Sequence, residues 1–133
     1  KSRGPDDLSV YLTYHTRSKG CDTFGAMGPW LVTSDEVNDP GKIEVRGYID
    51  GEMFCEDTTA NYSYNIAKVI EFASRYFTLE PGDLVSCGTA AHGVGRFKRG
   101  HQDVDLSVVK PVIDVEIPGM GRLSNPVRHT WEA

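Results

Sequence analysis

Two short stretches of the chain set charged or polar side chains beside glycine, where a backbone turns tightly and another group can approach closely. The first is residues 16–33, TRSKGCDTFGAMGPWLVT, with Lys19 between Ser18 and Gly20 and Asp22 just beyond. Polar residues held on a turn that runs into a rigid segment are a common way to build a site. A glycine-rich hairpin with a solvated lysine is the plain alternative. The Asp22 carboxylate is able to orient Lys19 or a metal-bound water, and equally able to cap the turn through its own backbone. In the second stretch, residues 78–95, Thr89 follows Gly88. An anion needs donors, and glycine lets backbone N–H groups come near, so a hydroxyl here suits an anion. A strand-end threonine satisfied by neighbouring backbone is the other reading.

His92, His101 and the segment His101-Gln102-Asp103-Val104-Asp105 also carry ligating groups. No spacing among them places ligands on one face of a regular element, so they read as surface residues. Arg96, Lys98 and Arg99 could draw in an anion, and read more simply as a solvated loop.

The elements that would position these residues are mostly strands. Residues 8–16 alternate apolar and polar with β-branched and aromatic side chains, which predicts a strand. Gly28-Pro29 punctuates the chain, and Trp30-Leu31-Val32 reads as a short buried strand. Residues 43–49 place Ile43, Val45, Gly47 and Ile49 on one face, and Asp50-Gly51 then predicts a type I′ hairpin turn into a return strand over 52–56. Residues 65–77 carry Ile66, Val69, Ile70, Ala73 and Phe77 on one helical stripe, with Asn65 as N-cap and Pro81-Gly82 as terminator. That stripe reads as core contact. Leu84–Cys87 predicts a short strand, residues 93–100 a loop, and residues 113–117 and 122–127 two strands joined by Pro118-Gly119-Met120-Gly121. The sum is a mostly β (α+β) domain with one packed helix.

At 133 residues the chain reads as a single domain, 1–133. Fourteen glycines and seven prolines favour short strands and turns over a helical bundle. A net charge of −5 without a basic cluster argues against nucleic acid or an anionic membrane as partner. No apolar run approaches the roughly 18 residues that span a bilayer. Three cysteines, Cys21, Cys55 and Cys87, with no C-x-x-C pair, argue against a disulfide framework or structural zinc and for a reducing, cytoplasmic setting.

Three blocks together resemble the fumarylacetoacetate hydrolase family. K-G-x-D-T-F-x-x-M-G-P-W-L-V-T, over residues 19–33, looks like the family's signature. TLEPGDLVSCGTAAHGVG, over 78–95, resembles its TLxPGDxxxxGTPxGVG segment. VIDVEIPGMGRLSNPV, over 112–127, is similar to its closing VEVEIEGLGRLxNPV. The blocks stand in family order, and the likeness covers residues 16–128. It implies a mixed β-roll or β-sandwich fold, a homodimer, and metal-dependent hydrolysis of C–C bonds in small 2-oxo or 1,3-diketo acids of acylpyruvate type. Decarboxylation, isomerisation and hydration in aromatic catabolism are the family's related reactions.

The resemblance also assigns roles. Lys19 would lie beside a divalent metal and the bound 2-oxo acid, where a cation stabilises an enolate. Asp22 would stand with it as a catalytic carboxylate, and Gly88 and Thr89 would hold the substrate's carboxylate. The family has proline after this threonine, whereas Ala90-Ala91-His92 follow here, so loop shape and substrate choice differ. The family's Mg²⁺ or Mn²⁺ ligands, an E-x-E pair and an aspartate, precede the lysine motif. Before Lys19 this sequence has only Asp6 and Asp7, without the D-x-x-x-R-D-x-Q setting; Arg3 is the position that could match its arginine and touch substrate. A hard divalent cation needs several oxygen ligands, so the metal ligands are expected upstream of this chain, which would be the carboxy-terminal portion of the catalytic domain. The rival expectation, from another class, is a non-catalytic structural or binding domain that lacks the metal site.

Overall fold

The computed structural model of the protein describes residues 19–107 and 111–128. The strand expected over 8–16, and Arg3, lie outside them. Four strands form one antiparallel sheet: β1 (Glu44–Ile49), β2 (Glu52–Thr58), β3 (Val112–Ile117) and β4 (Gly121–Pro126), in the order β2-β1-β3-β4. Helix α1 (Ile66–Ser74) and three short 3₁₀ turns complete the set.

The β1–β2 hairpin forms because Asp50 and Gly51 both take positive φ, 50° and 83°, as a type I′ turn requires. Midway along the pair the register shifts. Gly47 pairs with Cys55 and Tyr48 with Met53, so Phe54 is the extra residue of a β-bulge. Gly47 is what makes room for it. A Cβ there would stand 2.6 Å from both the Phe54 ring and the Cys55 Sγ. Phe54 and Cys55 turn inward together, and with Phe97 they form the buried core, flanked by Ile49, Ala91, Val104 and Ile113. Phe54 and Phe97 meet edge to face, with ring centroids 6.2 Å apart.

The opposite face of the sheet is charged. Glu56, Arg46, Glu116 and Arg122 are successive cross-strand neighbours of alternating sign. Arg46 bonds Glu56 at 2.8 Å, and the Arg122 guanidinium lies 4.5 Å from the Tyr48 ring centre while bonding Asp114 at 2.7 Å. Asp114 is the buried charge of this face, 5% exposed, and Ser124 donates to it as well.

Helix α1 begins as expected, with the Asn65 side chain accepting the Lys68 amide at 2.9 Å. Its apolar stripe departs from expectation: no residue of the helix is buried, and Ile70, Phe72, Tyr76 and Phe77 are exposed. The core forms instead between the sheet and residues 91–104. Trp30-Leu31-Val32 and Leu84–Cys87 are likewise not strands. Trp30 and Leu31 are 68% and 89% exposed rather than buried. A strand-like composition makes pairing possible, but a strand exists only where a partner edge supplies the hydrogen bonds. Among the described residues neither segment has one.

The free edge of β2 is partly covered. The Glu56 amide donates to the His92 carbonyl at 2.9 Å and the Val94 amide to the Phe54 carbonyl at 3.2 Å, around a bridge between Cys55 and Gly93. This pairing carries residues 88–91 back beside the end of β2.

Candidate functional site

The lysine motif is a tight turn. The Phe24 amide donates to the Cys21 carbonyl at 3.1 Å, and Thr23 takes a φ of 72°. A β-branched residue in the left-handed region is strained, and such residues concentrate where surrounding structure holds a functional geometry. Lys19 and Asp22 are exposed on either side of Gly20 and Cys21. No ion pair joins them among the described residues.

The motif's second half is fixed to the last hairpin. The Trp30 indole donates to the Met120 carbonyl, and Gly121 lies so close that a Cβ there would stand 2.9 Å from both Pro29 and the indole nitrogen. Gly28 lies in ordinary contact range of Leu123 of β4, 3.7 Å from where its Cβ would stand. Two of the three sequence blocks thus meet at the β3–β4 turn.

The third block is held elsewhere. Gly88 has a φ of 118°, a conformation that favours glycine, with open space where a side chain would point. Two side chains, one near the end of β2 and one from the β2–α1 connection, secure the backbone around Thr89. The Tyr62 hydroxyl donates to the Gly88 carbonyl at 3.3 Å, and the Asp57 carboxylate accepts the Ala91 amide at 3.0 Å. Asp57 also accepts from Asn61 at 2.7 Å and from the Thr58 amide at 2.8 Å. The Asn61 amide, with the Thr58 and Ala91 amides, holds its carboxyl below the usual aspartate range. Burial, with Cys87 and Asp57 nearby, pushes the Tyr62 hydroxyl upward, so it keeps its proton and donates at neutral pH.

Among the described residues the amides of Thr89 and Ala90 have no acceptor, and Thr89 is exposed. The exposed Thr89 thus carries a hydroxyl and an unpaired N–H, the kind of donors an anion requires. Gly88 and Thr89 are brought together with Asp57 and Tyr62. No hydrogen bond or ion pair among the described residues links them to Lys19 or Asp22.

The basic loop is mostly neutralised. Arg96 forms a two-bond pair with Glu52 at 2.8 and 2.6 Å, and Arg99 pairs with Asp103. His92 and His101 are exposed. Among the described residues no three His, Cys, Asp or Glu side chains converge to hold a metal ion. Their donor set does not by itself fit a divalent cation. No helix among them is long and apolar enough to cross a membrane. A groove along α1, lined by Tyr64, Lys68, Val69, Glu71, Phe72 and Arg75, includes none of the expected site residues.

Asp57 and Tyr62 were not legible as site residues. Asp57-Thr58-Thr59 carries turn chemistry in the sequence, but its partner Ala91 is 34 positions away.

The sequence model described as fumarylacetoacetate (FAA) hydrolase C-terminal matches residues 7–128. The chain belongs to the fumarylacetoacetate hydrolase family. It is 34% identical over 122 residues to the 4-hydroxyphenylacetate degradation bifunctional isomerase/decarboxylase of Salmonella dublin, covering 92% of this chain and 26% of that protein. Its fold is similar to the fumarylacetoacetate hydrolase of the psychrophile Exiguobacterium antarcticum, with a TM-score of 0.72 and 31% identity over 90% of this chain and 43% of that one. It is also similar to maleylpyruvate hydrolase from Sphingobium sp. SYK-6, solved in complex with manganese(II) and pyruvate. There the TM-score is 0.64 at 30% identity, over 79% of this chain and 36% of that one. The chain thus spans less than half the length of each of these relatives.

Proposed function

We propose that the chain is the carboxy-terminal part of a fumarylacetoacetate-hydrolase-type catalytic domain acting on the C–C bond of a small 2-oxo or 1,3-diketo acid of acylpyruvate type. The observation that carries this reading is the Thr89 loop. Its hydroxyl and the Thr89 amide are left for a ligand, on a backbone tethered from both sides. Those donors suit the carboxylate of a 2-oxo acid. Pyruvate is the acid bound in the related maleylpyruvate hydrolase.

In hydrolysis, water adds to the carbonyl carbon of the acyl group and the C–C bond pair passes to the pyruvyl side as an enolate. Protonation of that enolate then releases the second acid. The Lys19 ammonium stabilises the enolate oxygen as charge develops, and Thr89 fixes the carboxylate so that the bond is oriented. Asp22 lies close enough in sequence to Lys19 to act on the same substrate. Gly88 supplies the backbone shape, and Arg3 is a further candidate for the substrate's acid group. The ligands for Mg²⁺ or Mn²⁺, and the acid–base pair that moves the proton, would come from outside the described residues. A homodimer and a cytoplasmic setting belong to the same reading. Decarboxylation or isomerisation of a related acid uses the same enolate and is the closest variant, in keeping with the isomerase/decarboxylase relative.

A second reading is a non-catalytic binding domain of this fold, which would hold a carboxylate at the same Thr89 donors without turning it over. Assay of the full-length protein on acylpyruvates with and without Mg²⁺ or Mn²⁺ separates the two. Metal-dependent loss of the substrate's enol absorbance supports the enzyme; no turnover with any acylpyruvate supports the binding domain.

A further inference from the structure

Thr89 sits on a loop with no regular secondary structure, so something other than a ladder of backbone bonds must fix it. The two side chains that do so flank it closely. Tyr62 takes the carbonyl of the residue before Thr89, and Asp57 takes the amide two residues after it. Asp57 stands near the end of β2 and Tyr62 in the short connection from β2 to α1. That connection is itself braced, since Asn61 and the Thr58 amide converge on the same carboxylate and the Thr59 hydroxyl donates to the Pro40 carbonyl. Ala90, between the tethers, is buried, while Thr89 faces outward. The arrangement uses up the Ala91 amide and leaves the amide of the exposed Thr89 for a ligand.

We infer that Asp57 and Tyr62 are positioning residues that hold the Thr89 loop in its ligand-binding shape, and that Asp57 selects which backbone amides face the substrate's carboxylate. This rests on the reading of Thr89 as the carboxylate's partner. Neither side chain needs to touch the substrate. A carboxylate accepting three donors, with its charge stabilised by them, makes a stiffer anchor than a neutral acceptor would. Losing it would free the Ala91 amide to compete for the anion in the wrong place.

The test uses the full-length protein with pyruvate and Mg²⁺ as probes, in Asp57→Ala, Asp57→Asn, Tyr62→Phe and Thr89→Val variants. Pyruvate affinity is measured by calorimetry, and the amide shifts and hydrogen exchange of residues 88–91 are followed by NMR. The expected result for Asp57→Ala is about a tenfold loss of pyruvate affinity, the scale of one charged hydrogen bond. Amide exchange over 88–91 should rise with it, while the amides of β3 and β4 stay unchanged. Asp57→Asn, which keeps an acceptor of the same shape, should recover part of the affinity, and Tyr62→Phe should lose less than Asp57→Ala. Unchanged shifts and exchange over 88–91 in Asp57→Ala and Tyr62→Phe would overturn the tether itself. A loosened loop in those variants, with pyruvate affinity intact there and in Thr89→Val, would overturn the role of Thr89 and with it this inference.

Discussion

The Trp30 indole donates its N–H to the carbonyl of Met120, 90 positions further along the chain. Through that bond the lysine motif and the closing hairpin become one unit. Residues 19–30 therefore depend on the β3–β4 turn for their position, although the lysine motif itself is exposed.

Gly121→Ala should break this docking. The added Cβ meets Pro29 and the Trp30 ring at 2.9 Å, at a backbone φ of 118° that disfavours any side chain. A loss of about 1–3 kcal/mol in chemical denaturation is expected, with a larger loss of turnover than Trp30→Phe. The latter removes only the indole N–H and should cost about 1 kcal/mol. Equal effects of the two would contradict a packed junction.

Gly93 and Gly95 give a paired prediction in one loop. A Cβ on Gly93 would stand 2.1 Å from the Phe97 carbonyl oxygen and 2.6 Å from the Gly100 nitrogen, which are backbone atoms that cannot step aside. Gly95 has open space and a φ of 60°. Gly93→Ala should fail to fold or lose several kcal/mol, roughly the upper end of single-residue effects. Gly95→Ala should cost only about 1 kcal/mol, the price of a left-handed alanine. Comparable melting temperatures for the two variants would show that the β2 edge is covered in some other way.

The Asp114 carboxyl is held below the ordinary aspartate value of 3.8 by hydrogen bonds from Arg122 and Ser124. A lowered folded value means that its contribution to stability is fully present above pH 3.8 and is lost as pH falls through the folded value. Asp114→Asn should therefore be less stable than the parent at neutral pH, and the two stability curves should converge on acidification below about pH 4. Parallel curves across that range in urea titrations would remove Asp114 as a source of acid sensitivity.

Much of the sheet was legible because its signals are local. Asp50-Gly51 dictates its turn without reference to anything distant, and Asn65 caps α1 through an amide three residues away. The alternation over 113–117 and the Pro118–Gly121 turn likewise pointed to β3 and β4. Trp30–Val32 and Leu84–Cys87 have the same apolar character but no paired edge among the described residues, and composition does not reveal a missing partner. The bulge at Phe54 needed knowledge that Gly47 lies opposite. Of the candidate site, Gly88-Thr89 stands out in the sequence as glycine beside a hydroxyl, whereas Asp57 and Tyr62 reach that loop only through contacts that the fold creates.

Gly88→Ala isolates backbone shape from crowding. Nothing lies within 4 Å of the position a Cβ would take, yet the φ of 118° is one an alanine resists. Pyruvate affinity of the full-length protein should fall about tenfold as the loop relaxes, for a strain of the order of 1–3 kcal/mol, while the melting temperature moves little. An unaltered affinity would mean that the Thr89 donors tolerate a different loop.

The most direct test of the whole reading is turnover of an acylpyruvate by the full-length protein and its Lys19→Ala variant, at saturating Mg²⁺. Lys19 is exposed, so the variant should fold and melt as the parent does. Its kcat should fall by about a hundredfold or more, the usual scale for removing one group that stabilises transition-state charge. Full activity in Lys19→Ala would contradict the account at its centre.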